Sequence, residues 1–585
     1  MQTRFTQPNR YVLYDTETTS AKADGTHVVQ IALIETDKDF NVLQDNEGNN
    51  LEHMFYIRMR TDMIADPGAF LVHKVEPEWV SPFIDQSMIE GIDGPVYSQI
   101  EAMQVIQGIM TRTPNTAIAG YNSINFDDEV LRHNFYRTML DPYQHEWSNG
   151  NHRCDVFGAV QLMRMYAESA MEWPEGDDGK ASLKLEKLSV ANGVVHEKAH
   201  DALSDIYATI HVAKLIKEKR PNIWEKFKQL ADKKHVERLI SSGEVLALTQ
   251  VFIGKERYGT SLVMPMIKDP VNPSKHHMID LTGDLTPLVE MQIDELREFM
   301  YTPKSKRKKP YAEMDFNIRS IKINACPLVN IPPTKNKDEP RGVALQRICN
   351  RIGADYTTVA KNIEFIESNK VSLQDKLTRV YSEQKPFEPK PIYRALYDGF
   401  FSDGEKYLRD SMLSFNDDGL RLIYSSDLFD VASRSTKDNA EKTLLLGIYA
   451  KWEGFNQWSS LNNISPTDAN EILLYRDFVA SNIKGDGEGI GFEKFKEILR
   501  EYAENKDDLS EHEISLISSL KVQTLKVVER YQAIESVISP SFLKFAQKER
   551  ESNPDKYDRF SHLFSNISDL SLKNDSFCDT TDPTP

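Results

Sequence analysis

Asp15-Thr16-Glu17 follows directly on the apolar run Tyr11 to Tyr14 (YVLY). Side chains alternate faces along a strand, so a strand through this run turns both carboxylates to the same side as it leaves the core. One such pair is a weak signal, because structural and capping carboxylates are commoner. A second element, Tyr121 to Asp128 (YNSINFDD), lies where a short strand meets a helix. There Asn125 or Asp127 reads equally well as a helix N-terminal cap. A third element, Ala199 to Asp205 (AHDALSD), opens a helix and carries His200. Alone, that histidine reads as a surface or hydrogen-bonded one. Together they mean more: Asp15, Glu17, Asp127, Asp205 and His200 all fall at element ends of one α/β region. Carboxylate oxygens suit hard Mg²⁺ or Mn²⁺. Two such ions about 4 Å apart stabilise the attacking and leaving oxygens of phosphodiester cleavage. A histidine titrating near neutrality can deprotonate the attacking water.

The elements that must hold these groups are legible over the first 220 residues. Tyr11 to Tyr14, Val28 to Thr36 and His53 to Arg58 read as neighbouring strands, and Thr116 to Tyr121 as a fourth. Ile100 to Met110, Asn125 to Leu140, Ser182 to Asn192 and His200 to Lys219 read as helices. This order predicts a layered α/β sheet with a parallel part. Residues 221–375 hold β-rich stretches (Ala247 to Gly254, Thr260 to Met266, His277 to Leu281) separated by turn signals, as in a small barrel or sheet domain with helical additions. From about 385 the pattern is helical, with apolar spacings of three and four over Glu441 to Trp452, Asp468 to Ile483, Phe492 to Glu504 and Leu516 to Val537. Residues 539–564 offer a further helix, and the last 20 residues read as a disordered tail.

The chain has 585 residues and a net charge of -18 with histidine neutral. That acidity on its own argues against a nucleic-acid partner, since phosphates recruit Lys and Arg. The charge is unevenly distributed, however: residues 221–375 carry 24 basic and 20 acidic side chains between two acidic regions. Four cysteines without CxxC spacing exclude a zinc ribbon or a disulfide framework and suit a reducing compartment. No apolar run is long enough to span a membrane. The N-terminal MQTRFTQPNR lacks the apolar core of a signal peptide. A cytoplasmic, nucleoid-associated protein is expected.

Asp-x-Glu, then Asn-x3-Phe-Asp, then His-x4-Asp resembles the three-part signature of the DEDDh 3′–5′ exonucleases. Within them the chain is similar to the exodeoxyribonuclease I family of bacterial single-strand DNA exonucleases. The blocks that carry this likeness are residues 121–147, WPEGDDG (173–179), residues 185–210, MIDLTGDLTPLVEM (278–291), INACPL (323–328) and LYDGFFSD (396–403). The resemblance implies an α/β, RNase H-like exonuclease domain over residues 8–220. A small β-barrel-containing, Src-homology-type domain would follow over 221–380. An all-helical domain would occupy 385–540, with an extra helix and tail over 541–585. It implies that Asp15, Glu17 and Asp205 bind two Mg²⁺ ions, with Mn²⁺ able to substitute. Glu17 would also face the substrate, Asp127 would complete the site, and His200 would be the general base. Asp128 and Asp201, beside the motif positions, are read as exposed or capping carboxylates. The product would be 5′-mononucleotides released from a 3′ end, in DNA repair and recombination.

A processive enzyme must hold its strand, which calls for cations along the backbone and rings on which bases stack. By the same resemblance Arg132, Tyr143, Trp147, Arg164 and Lys184 would contact DNA. Leu183-Lys184 departs from the Phe-Arg of the family, and lysine keeps the charge but loses the bidentate fork. Lys226, Lys233, Lys234, Arg238 and Arg257 are candidates for the inner surface of a clamp, while KSKRKK (304–309) reads as a solvated loop. The implied partners are single-stranded DNA and single-stranded DNA-binding protein, whose acidic tail would need a basic pocket. A clamp within one chain needs no second copy, so a monomer is expected. The catalytic signature alone does not separate DNA from RNA as substrate. A binding scaffold with a vestigial centre is the rival from another class, disfavoured because all five positions are filled.

Overall fold

The run that precedes Asp15 is the centre of a sheet. In the computed structural model, which describes residues 7–194, 201–302, 304–307, 316–383, 390–399, 427–433, 440–453 and 465–564, it forms strand β1 (Arg10–Thr18). β2 (Val28–Asp37) and β3 (Glu52–Ile57) follow as an antiparallel meander. β4 (Val96–Tyr97) adds to the edge beside β3, while β5 (Thr116–Gly120) and β6 (His152–Asp155) pair parallel on the other side of β1. The strand order is β4-β3-β2-β1-β5-β6. Tyr11 to Tyr14 are all buried, as expected of a central strand with both faces covered.

Strand alternation sorts β1 into two cores. Tyr11 and Leu13 pack with Ile206, Ile210 and Ala213 of the helix Ala202–Lys219. Val12 and Tyr14 pack with Ala102 and Ile106 of the helix Gln99–Thr111, and with Leu131 and Phe135 of the helix Asp127–Arg137. The next odd positions, Asp15 and Glu17, therefore face the Ala202 helix, and Thr16 faces the Asp127 helix.

The second region is a five-stranded antiparallel sheet of order β10-β9-β8-β7-β11: β7 (Leu246–Thr249), β8 (Thr260–Lys268), β9 (Lys275–Asp280), β10 (Ile318–Lys322) and β11 (Leu328–Asn330). Its core is closed by helices Arg341–Ile352 and Tyr356–Ser382. The third region is helical, with Ala440–Glu453, Pro466–Lys484, Phe492–Glu504, Glu511–Val537 and Pro540–Ser552. One apolar cluster runs from it into the first region, joining Leu444, Ile472 and Val527 to Val29, Tyr56 and Phe70. The expected tail (566–585) lies outside the described residues, as do 308–309 of the basic run and 400–403 of the LYDGFFSD block.

Candidate active site

Asp15 and Glu17 meet Asp205, which sits in the first turn of the helix Ala202–Lys219. The helix is set by a buried stripe (Ala202, Ile206, Thr209, Ile210, Ala213, Ile216), and Asp205 lies at the edge of that stripe facing the end of β1. Asp201 caps the same helix by accepting the Ser204 N–H at 3.2 Å, the capping role expected of it. One oxygen from each of Asp15, Glu17 and Asp205 lies within 4.8 Å of the others. Three hard oxygen donors so gathered fit a divalent cation such as Mg²⁺ or Mn²⁺. Their electrostatics point the same way. Burial, with the charges of Asp127, Glu17 and Asp205, pushes the Asp15 carboxyl well above its ordinary value. Burial, Asp205 and Asp127 push Glu17 to about 8. Without a cation the cluster resists its own ionisation.

Asp127 approaches from the other face of β1. The Thr16 hydroxyl donates to its Oδ1 at 2.5 Å, so the residue between Asp15 and Glu17 orients the fourth carboxylate. Burial raises the Asp127 carboxyl to about 7, with the Thr16 bond opposing. Neither Asn125 nor Asp127 caps the helix, whose N-cap position is Phe126. Asp128 corrects the expectation of an exposed or capping group. It is buried, accepts the Tyr14 hydroxyl and pairs with Arg153 of β6 at 3.0 Å. Against the cost of burial, the Arg153 and Arg132 charges hold its carboxyl below the ordinary range. Nearby, buried Asp155 accepts the N–H groups of Asn122, Ile124 and Phe157, which fixes the turn leading into the Asp127 helix. Thr16, Arg153 and Asp155 were not singled out from sequence. Thr16 alone had a signal, as the middle residue of Asp-x-Glu. His200 lies outside the described residues.

The expected strand contacts occupy different environments. Trp147 is 64% exposed. Tyr143 is half-buried, with the Arg132 guanidinium 5.7 Å from its ring centre. Arg132 itself is buried and paired with Glu129 and Glu146. Arg164 is buried, 5.1 Å from the Tyr258 ring centre. Lys184 has a side chain 69% exposed, its nearest carboxylate, Glu186, being 3.9 Å away. It stands just before the helix Leu185–Ala191 in extended backbone, so the helix starts three residues later than Ser182. The Tyr121 hydroxyl donates to the preceding carbonyl, Leu183 O, at 2.5 Å, which ties Lys184 to the strand–helix turn of Asp127. Of the clamp candidates, Arg257 donates to the Thr282 hydroxyl at 2.7 Å, and Lys226 lines a cavity between the first two regions.

Residues 12–213 match the Exonuclease family, and residues 231–383 match the Exonuclease I SH3-like domain. Exodeoxyribonuclease I of Haemophilus influenzae is 31% identical over 399 residues, covering 68% of this chain and 78% of the relative. The chain belongs to the exodeoxyribonuclease I family. The enzyme of that name from Escherichia coli is also 31% identical, over 403 residues, with the same coverage. The crystal structure of Escherichia coli exonuclease I with a dA16 oligonucleotide superposes with a TM-score of 0.74 at 25% identity, covering 89% of this chain and all of that one. The chain is thus a nuclease of the metal-dependent exonuclease class, with an exonuclease domain, an SH3-like domain and a helical region. The trio Asp15, Glu17 and Asp205 is its candidate metal site.

Proposed function

We propose that this chain is a processive 3′–5′ exonuclease that hydrolyses single-stranded DNA to 5′-mononucleotides with two Mg²⁺ ions. The observation that carries this reading is the meeting of Asp15, Glu17 and Asp205 at the end of β1, with Asp127 oriented beside them through Thr16. Divalent ions held there supply positive charge to the attacking and leaving oxygens of the phosphodiester. His200 takes the proton of the attacking water. Exposed Trp147 and half-buried Tyr143 offer stacking faces for bases near the 3′ end. Lys184 offers an exposed ammonium to a phosphate. Arg132 and Arg164 are buried, each near a tyrosine ring. Relatives with these domains are named exodeoxyribonucleases, and one is crystallised with a DNA oligonucleotide, which favours DNA over RNA as the substrate.

Single-stranded DNA-binding protein is the proposed protein partner. A cavity of about 850 Å³ between the exonuclease and SH3-like regions supports it. Its lining mixes apolar Leu162, Leu239 and Val329 with cationic Lys226, Arg347 and Arg351, the last three suiting an acidic tail. The test of function is release of nucleotides from a single strand in Mg²⁺ and in EDTA. Asp15→Ala abolishes release if the reading holds, and no release by the unaltered chain in Mg²⁺ overturns it.

A further inference from the structure

The joint between the helical and exonuclease regions is largely apolar, and apolar surfaces alone fix register weakly. Two buried carboxylates interrupt it: Asp62, which accepts the Tyr475 hydroxyl at 2.9 Å, and Glu488. Glu488, on the loop after the helix Pro466–Lys484, is 0% exposed. Its Oε1 accepts Arg137, and its Oε2 accepts both the Tyr449 hydroxyl and His27 Nε2, the last at 3.0 Å. Arg137 and His27 are themselves buried. The loop backbone lies flat on the exonuclease region: Gly489 donates its N–H to Gly25 O at 3.0 Å, and Ile490 donates to Ile64 O at 3.2 Å. Gly489 has φ +73°, and a Cβ there would stand 2.2 Å from Ile64 O, so no other residue fits without displacing the loop.

Both exonuclease partners lead to the metal site. Arg137 is the last residue of the helix whose first residue is Asp127. His27 closes the β1–β2 turn, where the Thr19 N–H donates to His27 O at 2.9 Å and the His27 N–H donates to Thr19 Oγ1 at 3.0 Å, two residues beyond Glu17. Arg137 Nη2 also donates to Thr26 O at 2.6 Å, which joins the helix end to the turn. One carboxylate from another region thus clamps together the two elements that carry Glu17 and Asp127.

We propose that Glu488 is a positioning residue for the metal site, fixing the β1–β2 turn against the Asp127 helix so that Glu17 and Asp127 keep their places around Asp15 and Asp205. The proposal rests on the active-site reading above. A buried ionic group that sets register within an apolar joint is its physical basis.

Three variants of the full chain test it. Glu488→Gln removes the charge and keeps the shape, and Gly489→Ala displaces the loop and keeps every charge. Arg137→Lys is milder, keeping the charge and losing the second N–H to Thr26. Mn²⁺ binding to the DNA-free protein is measured by calorimetry, and kcat and KM on single-stranded DNA are measured against Mn²⁺ concentration. Folding is checked by circular dichroism. The first two variants should bind Mn²⁺ at least fivefold more weakly and lose at least tenfold in kcat at limiting Mn²⁺. Arg137→Lys should fall between them and the unaltered chain. KM for DNA should move less than twofold, and saturating Mn²⁺ should restore kcat. Unchanged Mn²⁺ affinity in the folded variants, or a loss that saturating Mn²⁺ does not restore, overturns the role of Glu488 alone. An unaltered chain that binds no Mn²⁺ overturns the active-site reading as well.

Discussion

Glu17→Gln should stabilise the metal-free protein while removing its response to metal. The Glu17 carboxyl ionises at about 8 in the fold, against an ordinary value of 4.5. A raised carboxyl pKa means that the folded state binds more protons than the unfolded chain above pH 4.5, so this group erodes stability as pH rises. The erosion begins near pH 4.5 and levels off near 8. Up to pH 7 the interval spans about 2.5 pH units at 1.36 kcal/mol each, or about 3 kcal/mol. Glutamine carries no charge and escapes that cost. At roughly 2–4 °C per kcal/mol for a domain of this size, the unfolding midpoint in EDTA at pH 7 should rise by several degrees, with about 12 °C as the upper limit. The assay is differential scanning calorimetry in EDTA at pH 5, 6, 7 and 8. The gap between variant and unaltered chain should widen from pH 5 to pH 8. Adding Mg²⁺ should raise the midpoint of the unaltered chain by linkage and leave the variant almost where it was. A variant midpoint lower in EDTA at pH 7, or an equal Mg²⁺ shift in both proteins, refutes the reasoning.

Three other outcomes are expected. Asp128→Asn removes one of the two carboxylates paired with the buried Arg153 guanidinium, Glu146 at 3.3 Å being the other, and should cost about 1–3 kcal/mol in urea unfolding; adding Arg153→Met should recover part of it. Trp147→Ala removes an exposed ring, and at about 1–3 kcal/mol per stacked base the affinity for a single strand should fall roughly 5- to 150-fold, read by fluorescence anisotropy in EDTA. With His200 as the base, kcat should fall as pH drops below about 6.5, and His200→Ala should flatten the profile; a flat profile between about pH 5 and 8 in the unaltered chain counts against it.

The candidate site carboxylates were legible because strand alternation is rigid. Once Tyr11 to Tyr14 is a buried strand, Asp15 and Glu17 must share a face. The helix Phe492–Glu504 was read to its exact ends because its amphipathic pattern is strong and a glycine precedes it. Strand β6 (HRCD) was hidden, since its polar sequence is buried where Arg153 finds Asp128 and Glu146 across the fold. The long helix Tyr356–Ser382 also escaped, because its buried residues Val359, Ile366, Leu373, Leu377 and Val380 form a thin stripe in a polar sequence. Asp128 was misjudged for the reason that hid β6: burial of a charge depends on a distant partner. Glu488 was beyond reach, because nothing in the Gly-rich KGDGEGIGF (484–492) marks a buried carboxylate until Gly25 and Ile64 are seen to hold the loop.

The central claim is that Asp15, Glu17 and Asp205 form the metal site of an exonuclease that works from the 3′ end of single-stranded DNA. The most direct measurement follows a single strand labelled at its 3′ terminal nucleotide, alongside a blunt duplex and an RNA of the same sequence, with Mg²⁺ or with EDTA. The account predicts labelled 5′-mononucleotide as the first product from the DNA single strand in Mg²⁺, little from duplex or RNA, and none in EDTA or with Asp15→Ala. Label that stays on long fragments while 5′-terminal nucleotides are released, or equal release in EDTA, would contradict it.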